Sequence, residues 1–312
     1  MKEAAREKAF PMSDEAVISR TERLISEYAK KVLPESRTEG YVDHLFERIT
    51  GSLHFFAKAL NREFSQSRFE PHSFELKVGF SDDLPAIPIR LENGHDLTVR
   101  GIVDRVDILR EGGNVYVRVV DYKTGSKTFS LSKVMKGENI QLLLYLFALC
   151  NMPDDCSFAK ELLPNGERLV PAGAVYFSAK PGDISSDKFI SRDETESFAL
   201  GEISRTGIVL GDTAVIEAMD KELSGEYAPA YLDKKGNLKG SFAETEADFK
   251  IIENTITEFL QGVGNRLVTG EAGSCPTGFG VSSPCKWCAM KPLCRHNGHK
   301  QTKINEGGES DE

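Results

Sequence analysis

Asp104, Asp121 and Lys123 are the residues whose types and spacing point most directly to chemistry. They lie in GIVDRVDILREGGNVYVRVVDYKTG, residues 101–125, where two β-type runs flank the turn Glu111-Gly-Gly-Asn114. Alternation along a strand places Val115, Val117, Val119, Asp121 and Lys123 on one face, with three valines anchoring it and an acid and a base at its end. On the preceding strand Ile102, Asp104, Val106 and Ile108 share a face, so Asp104 is the natural partner of Asp121 across the hairpin. Paired carboxylates bind a hard cation such as Mg²⁺ or Mn²⁺. Such a cation activates water and stabilises phosphoryl charge, and a neighbouring lysine orients or deprotonates that water. The combination is suited to phosphodiester hydrolysis. An isolated Asp-x-Lys triplet is more often a surface ion pair. The Gly-Ile-Val-Asp strand ahead and the helix behind set this one apart.

That helix is expected to begin near Glu138 and to run to about 150 through an almost wholly apolar segment. Gln141 and Tyr145 stand one turn apart on it, where they face the metal site or satisfy buried strand carbonyls. Arg105 and Asp107 point to the opposite face of their strand, which assigns them a structural ion pair. Glu75, in the strand run 74–78, is either an accessory acid or a solvated glutamate.

The supporting elements follow from periodicity. Residues 13–64 carry helical spacing in two helices, divided by Pro34. Strands are expected at 74–78, 97–109, 115–122 and 171–178, and further helices at 212–223 and 244–268. Helices, then a sheet, then mixed elements make an α/β (α+β) chain. The 312 residues are 40% hydrophobic and 28% charged, ordinary for a globular protein. No apolar run is long enough to span a bilayer and no signal-peptide core is present, so the expectation is a cytoplasmic protein with no membrane contact. A formal charge of −9 argues against nucleic acid at face value, but only weakly. Metal-dependent nucleases gather carboxylates, and only the field along the strand path matters.

Taken together, GxxDRxD, DYKTG and QLxLY resemble the RecB-type branch of the PD-(D/E)XK nuclease superfamily. CKWCAMKPLC is similar to the Cys-x2-Cys-x5-Cys ending of the nuclease domain in AddB-like helicase–nuclease subunits. The resemblance covers about 69–294 and implies a restriction-endonuclease-like core, a central mixed sheet flanked by helices. It implies a DNA exonuclease in double-strand-break end resection, acting on single-stranded DNA beside a helicase–nuclease partner subunit. Asp104 and Asp121 would be metal ligands, Lys123 the catalytic lysine, and Gln141 and Tyr145 the DNA-contacting helix residues beside the site. The corresponding division is an N-terminal helical segment 1–68, a nuclease domain 69–294 and a disordered tail 295–312.

Cys285, Cys288 and Cys294 would hold a [4Fe–4S] cluster completed by an upstream cysteine, but no cysteine precedes Cys150. The cluster is thus expected to be absent or incomplete unless Cys275 substitutes, in which case zinc fits as well as iron. Cys150 and Cys156 read as a buried helix-end thiol and a loop thiol. His54, in Gly51-Ser-Leu-His54, has the look of the family's metal-site histidine, yet its surroundings match a later helix and favour a surface role. The expectation is therefore a C-terminal piece of a longer subunit. Two other functions compete: a nuclease-fold scaffold that docks a partner, and a zinc-stabilised DNA-binding module at 275–294. The intact triad counts against the first, and tight zinc would be required by the second.

Overall fold

The computed structural model describes residues 10–32, 41–80, 84–123, 128–178, 200, 203, 205–271, 273, 285 and 288–294, except the side chains of 41–43, 45–46 and 48. Two helices come first, α1 (Asp14–Val32) and α2 (Tyr41–Gln66). Asp14 and Glu15 at the start of α1, and Lys30 and Lys31 at its end, complement the helix dipole. The expected break at Pro34 lies outside the described residues.

The sheet begins with β1 (Glu70–Val78), longer than its apolar pattern suggested. The single strand expected over 97–109 is divided in the structure. Its start is β3 (Asp96–Val99), which pairs antiparallel with β2 (Ile87–Arg90) in a separate hairpin. The rest is β4 (Gly101–Glu111), which pairs with both β1 and β5 (Asn114–Lys123). Periodicity did not register the division because apolar residues recur on both sides of Arg100, although Leu97 and Val99 fall in the opposite phase to Ile102, Val106 and Ile108. Between β4 and β5, Gly112 and Gly113 have φ of +59° and +79°, the left-handed pair that a two-residue hairpin turn favours.

Helices α3 (Leu131–Val134), α4 (Gln141–Cys150) and α5 (Ser157–Leu162) then cross to β6 (Arg168–Ser178), which lies parallel to β5. Next come β7 (Arg205–Leu210), α6 (Thr213–Met219), the small hairpin β8 (Ala230–Leu232) and β9 (Leu238–Gly240), and β10 (Phe242–Ala243). Helix α6 stops four residues short of its expected end. The last helix, α7 (Glu246–Val268), starts on a capping box in which Thr245 and Asp248 satisfy each other's backbone amides. The six-stranded sheet has the order β1-β4-β5-β6-β7-β10 with both parallel and antiparallel pairs, the mixed sheet expected.

Each face of the sheet buries something different. Val115, Val117 and Val119 face Leu142, Leu143, Leu146 and Leu149 of α4 in an apolar core that extends to Phe249, Ile252 and Ile256 of α7. On the other face Leu60 and Phe64 of α2 pack against Val120 and Phe177. That face also buries five charges. The Glu63 carboxylate meets the guanidiniums of Arg105 at 2.7 Å, Arg118 at 3.1 Å and Arg205 at 2.9 Å. Asp107 binds Arg105 at 2.8 Å and Arg118 at 2.7 Å. Arg105 and Asp107 therefore have the structural role expected of them. Helix α2 shares the core of the sheet through Glu63, although the boundary placed at residue 68 separates them in sequence.

Candidate metal centre

Strands β4 and β5 bring Asp104, Asp121 and Lys123 together at the end of their hairpin opposite the Gly-Gly turn. Ladder pairing of the two strands ends at Arg105–Val120, so the acids lie just beyond the last paired residues. Asp121 is only 7% exposed, whereas Asp104 and Lys123 are half-buried. The Asp104 Oδ2 accepts a hydrogen bond of 2.9 Å from the Tyr122 backbone amide, which fixes the carboxylate toward β5. Lys123 Nζ forms an ion pair with Asp121 Oδ2. An acid at the end of a hydrophobic strand face thus has its neighbouring cation as counter-charge.

The third wall was not anticipated. Tyr176 on β6 is the direct parallel-strand neighbour of Asp121. Lys123 Nζ lies 5.8 Å from the centre of its ring, within cation–π range. Burial, helped by the Asp121 charge, pushes the Tyr176 phenol up to about 12, so it stays protonated and can donate. Its hydroxyl reaches the Asn139 carbonyl at 3.5 Å, just ahead of α4. The strand expected at 171–178 contains Tyr176, but the pattern carries no register that would pair it with Asp121.

Helix α4 meets the same region from above. Gln141 Nε2 donates to the Tyr145 hydroxyl at 3.0 Å, so the two polar tips bind each other and not strand carbonyls. Gln141 is exposed, while Tyr145 is buried against Gly101. A Cβ at Gly101 would come within 2.7 Å of Tyr145 Cε1, so glycine at the start of the Gly-Ile-Val-Asp run is a packing requirement.

The remaining candidates are placed as follows. Glu75 is exposed, with φ of +52°, between the Phe74–Arg105 and Leu76–Val103 pairs and level with Asp104. His54 lies 3.7 Å from Glu22 of α1, at the contact of the two helices. Cys285 is half-buried and Cys288 and Cys294 are exposed. Cys275 lies outside the described residues. Cys156 is buried and its sulfur caps α5 by accepting from the Ala159 amide at 3.4 Å. Cys150, the last residue of α4, is half-buried. Among the described residues no three His, Cys, Asp or Glu side chains gather as a metal-ligand group.

Two carboxylates on adjacent strands, one with an oxygen already committed to a backbone amide, match the protein share of a Mg²⁺ site. That ion keeps several waters and takes further oxygens from a phosphate substrate. The donor set fits a hard divalent cation and is unsuited to zinc, which prefers nitrogen and sulfur.

Comparison with known proteins gives the same picture. The PD-(D/E)XK nuclease superfamily profile matches residues 4–295. An ATP-dependent helicase/deoxyribonuclease subunit of Thermoanaerobacter sp. (strain X514) is 28% identical over 276 residues, covering 86% of this chain and 23% of the relative. The proteins of the same name from Acetivibrio thermocellus and Alkaliphilus oremlandii are 31% and 32% identical, covering 74% and 77% of this chain but 20% and 21% of the relatives. The chain thus spans about a fifth to a quarter of the length of these relatives. With the profile matched along nearly all of its length and a mixed sheet holding two acids and a lysine, this chain belongs to the PD-(D/E)XK nuclease superfamily.

Proposed function

We propose that the chain is a metal-dependent DNA exonuclease domain that degrades single strands delivered by a helicase–nuclease partner in double-strand-break end resection. The observation that carries this reading is the convergence of Asp104, Asp121 and Lys123 at one end of the β4–β5 hairpin. Membership of a nuclease superfamily and the names of the relatives support it. Cytoplasm is the proposed location, and among the described residues no helix is long and apolar enough to cross a membrane.

Asp104 and Asp121 would hold Mg²⁺ or Mn²⁺, which when bound lowers the pKa of water and offsets phosphoryl charge. Asp104 presents one oxygen, because the Tyr122 amide holds the other. Lys123, balanced between the Asp121 carboxylate and the Tyr176 ring, orients the attacking water and meets charge as it builds on the phosphate. The exposed Gln141 amide, held by Tyr145, contacts the nucleic-acid backbone, which suits binding with little sequence preference. Cys285, Cys288 and Cys294 supply three thiolates, so a [4Fe–4S] cluster would need a fourth from Cys275 or from outside this chain.

The test is incubation of end-labelled single-stranded and duplex DNA with Mg²⁺, Mn²⁺ or EDTA. Stepwise shortening of the single strand that EDTA stops supports the proposal. A folded protein that leaves both substrates intact with either metal contradicts it and favours the scaffold role.

A further inference from the structure

The two residues that alternate with the site residues on the back of the sheet are bonded to each other. Arg105 follows Asp104 in β4, and Tyr122 stands between Asp121 and Lys123 in β5. Arg105 Nη1 donates to the Tyr122 hydroxyl at 2.9 Å, on the face opposite the carboxylates. The backbone amide of the same tyrosine donates to Asp104 on the site face. The β4–β5 ladder has already ended at Arg105–Val120, so these two bonds tie the strands together where the acids stand.

Both ends of the tie are held firmly. Arg105 is fully buried, fixed by Glu63 at 2.7 Å and Asp107 at 2.8 Å, and lies 4.9 Å from the Phe64 ring centre. The Tyr122 ring packs edge-on against Phe56 at 5.1 Å and Phe177 at 5.7 Å. The tie thus joins the arginine–carboxylate network to the two strand ends that carry the carboxylates on the other side of the sheet.

We infer that Tyr122 and Arg105 are positioning residues that set the spacing of Asp104 and Asp121, and hence the affinity of the site for a divalent cation. The inference rests on the metal-site reading above. The Tyr122 amide is the direct partner of a metal-ligand side chain, and loss of such partners weakens metal binding by about 10–100-fold. The Tyr122 hydroxyl and Arg105 act one bond further out, by holding that amide in place.

Tyr122→Phe tests it, because the ring and the backbone amide remain and only the hydroxyl is lost. Arg105→Lys removes the same bond from the other side. Tyr116→Phe, at the far end of β5, is the control for loss of a hydroxyl from that strand. Mn²⁺ binding is measured without DNA by electron paramagnetic resonance, well below the melting temperature of each variant, with Asp121→Asn as the ligand-loss reference. Weakening of Mn²⁺ binding by tenfold or more in Tyr122→Phe and Arg105→Lys, with Tyr116→Phe like the wild type, is the expected result. Binding within twofold of wild type in folded Tyr122→Phe overturns the inference while leaving the metal site intact, provided Asp121→Asn loses binding. Equal weakening in Tyr116→Phe also overturns it, because the effect is then general loosening of the strand. A wild type that binds no Mn²⁺ removes the metal-site reading and this inference with it.

Discussion

Replacing Glu63 with glutamine keeps the shape of the side chain and removes one charge from the most demanding part of the core. Glu63 is 2% exposed and is shared by three guanidiniums. Its burial alone would raise its pKa, but Arg105, Arg205 and Arg118 draw it down from 4.5 to about 2. At 1.36 kcal/mol per unit, this corresponds to about 3 kcal/mol of stabilisation, of the order of the ~3–5 kcal/mol lost when a buried ion pair loses one partner. The charges left behind explain the size. Arg105 and Arg118 would share the one carboxylate of Asp107, and Arg205 would be left with the Ile203 carbonyl at 3.0 Å and the faces of Phe177 and Tyr227. At about 2 °C per kcal/mol for a chain of this size, the melting temperature of Glu63→Gln should fall by roughly 6–10 °C at pH 7. The stabilisation is present above the unfolded carboxyl value and is lost as pH falls from 4.5 toward about 2, so the two proteins should converge in that acid range. Calorimetry or circular-dichroism melts at pH 7 and across that range decide the matter. A melting temperature within 2 °C of wild type at pH 7 would refute the reasoning, since the network would then contribute almost nothing.

Gly101→Ala should displace the Tyr145 ring, destabilise the chain by about 1–3 kcal/mol in denaturant titration, and lower cleavage by disturbing Gln141. Tyr176→Leu should reduce kcat more than substrate affinity, because it removes the ring beside Lys123, and single-turnover kinetics separate the two effects. Elemental analysis of the purified protein should find no equimolar, chelator-resistant zinc, as the acids at the centre are poor zinc ligands and the run from Cys285 to Cys294 supplies only three of the four ligands of a closed zinc site. Tight stoichiometric zinc would instead support the module at residues 275–294.

The sequence was most informative where side-chain alternation and apolar anchoring acted together. Val115, Val117 and Val119 fixed the facing of Asp121 and Lys123, and the Gly112–Gly113 turn fixed which strand carried Asp104. The same alternation correctly sent Arg105 and Asp107 to the back of the sheet. It could not reveal all that they meet there: Arg118 stands opposite Asp107 in the same hairpin, but Glu63 and Arg205 come from distant segments and converge only by packing. Register was the missing information at Tyr176, whose place beside Asp121 depends on a parallel pairing across a three-helix crossover. Strand β10, with two residues, carries too few for a pattern, and its position is set by its neighbour β7. The division between β3 and β4 was missed because apolar residues recur throughout 97–109, although their phase changes around Arg100, where the chain passes from one sheet to another.

The most direct test of the central claim is cleavage of end-labelled DNA in Mg²⁺ by the wild type, Asp121→Asn and Lys123→Ala, each first shown to be folded by its melting curve. Metal-dependent cutting by the wild type, with at least a hundredfold loss in both folded variants, is the result expected of a phosphodiesterase built on these residues. Undiminished cutting by a folded Lys123→Ala would contradict the account and move the chemistry away from the end of the β4–β5 hairpin.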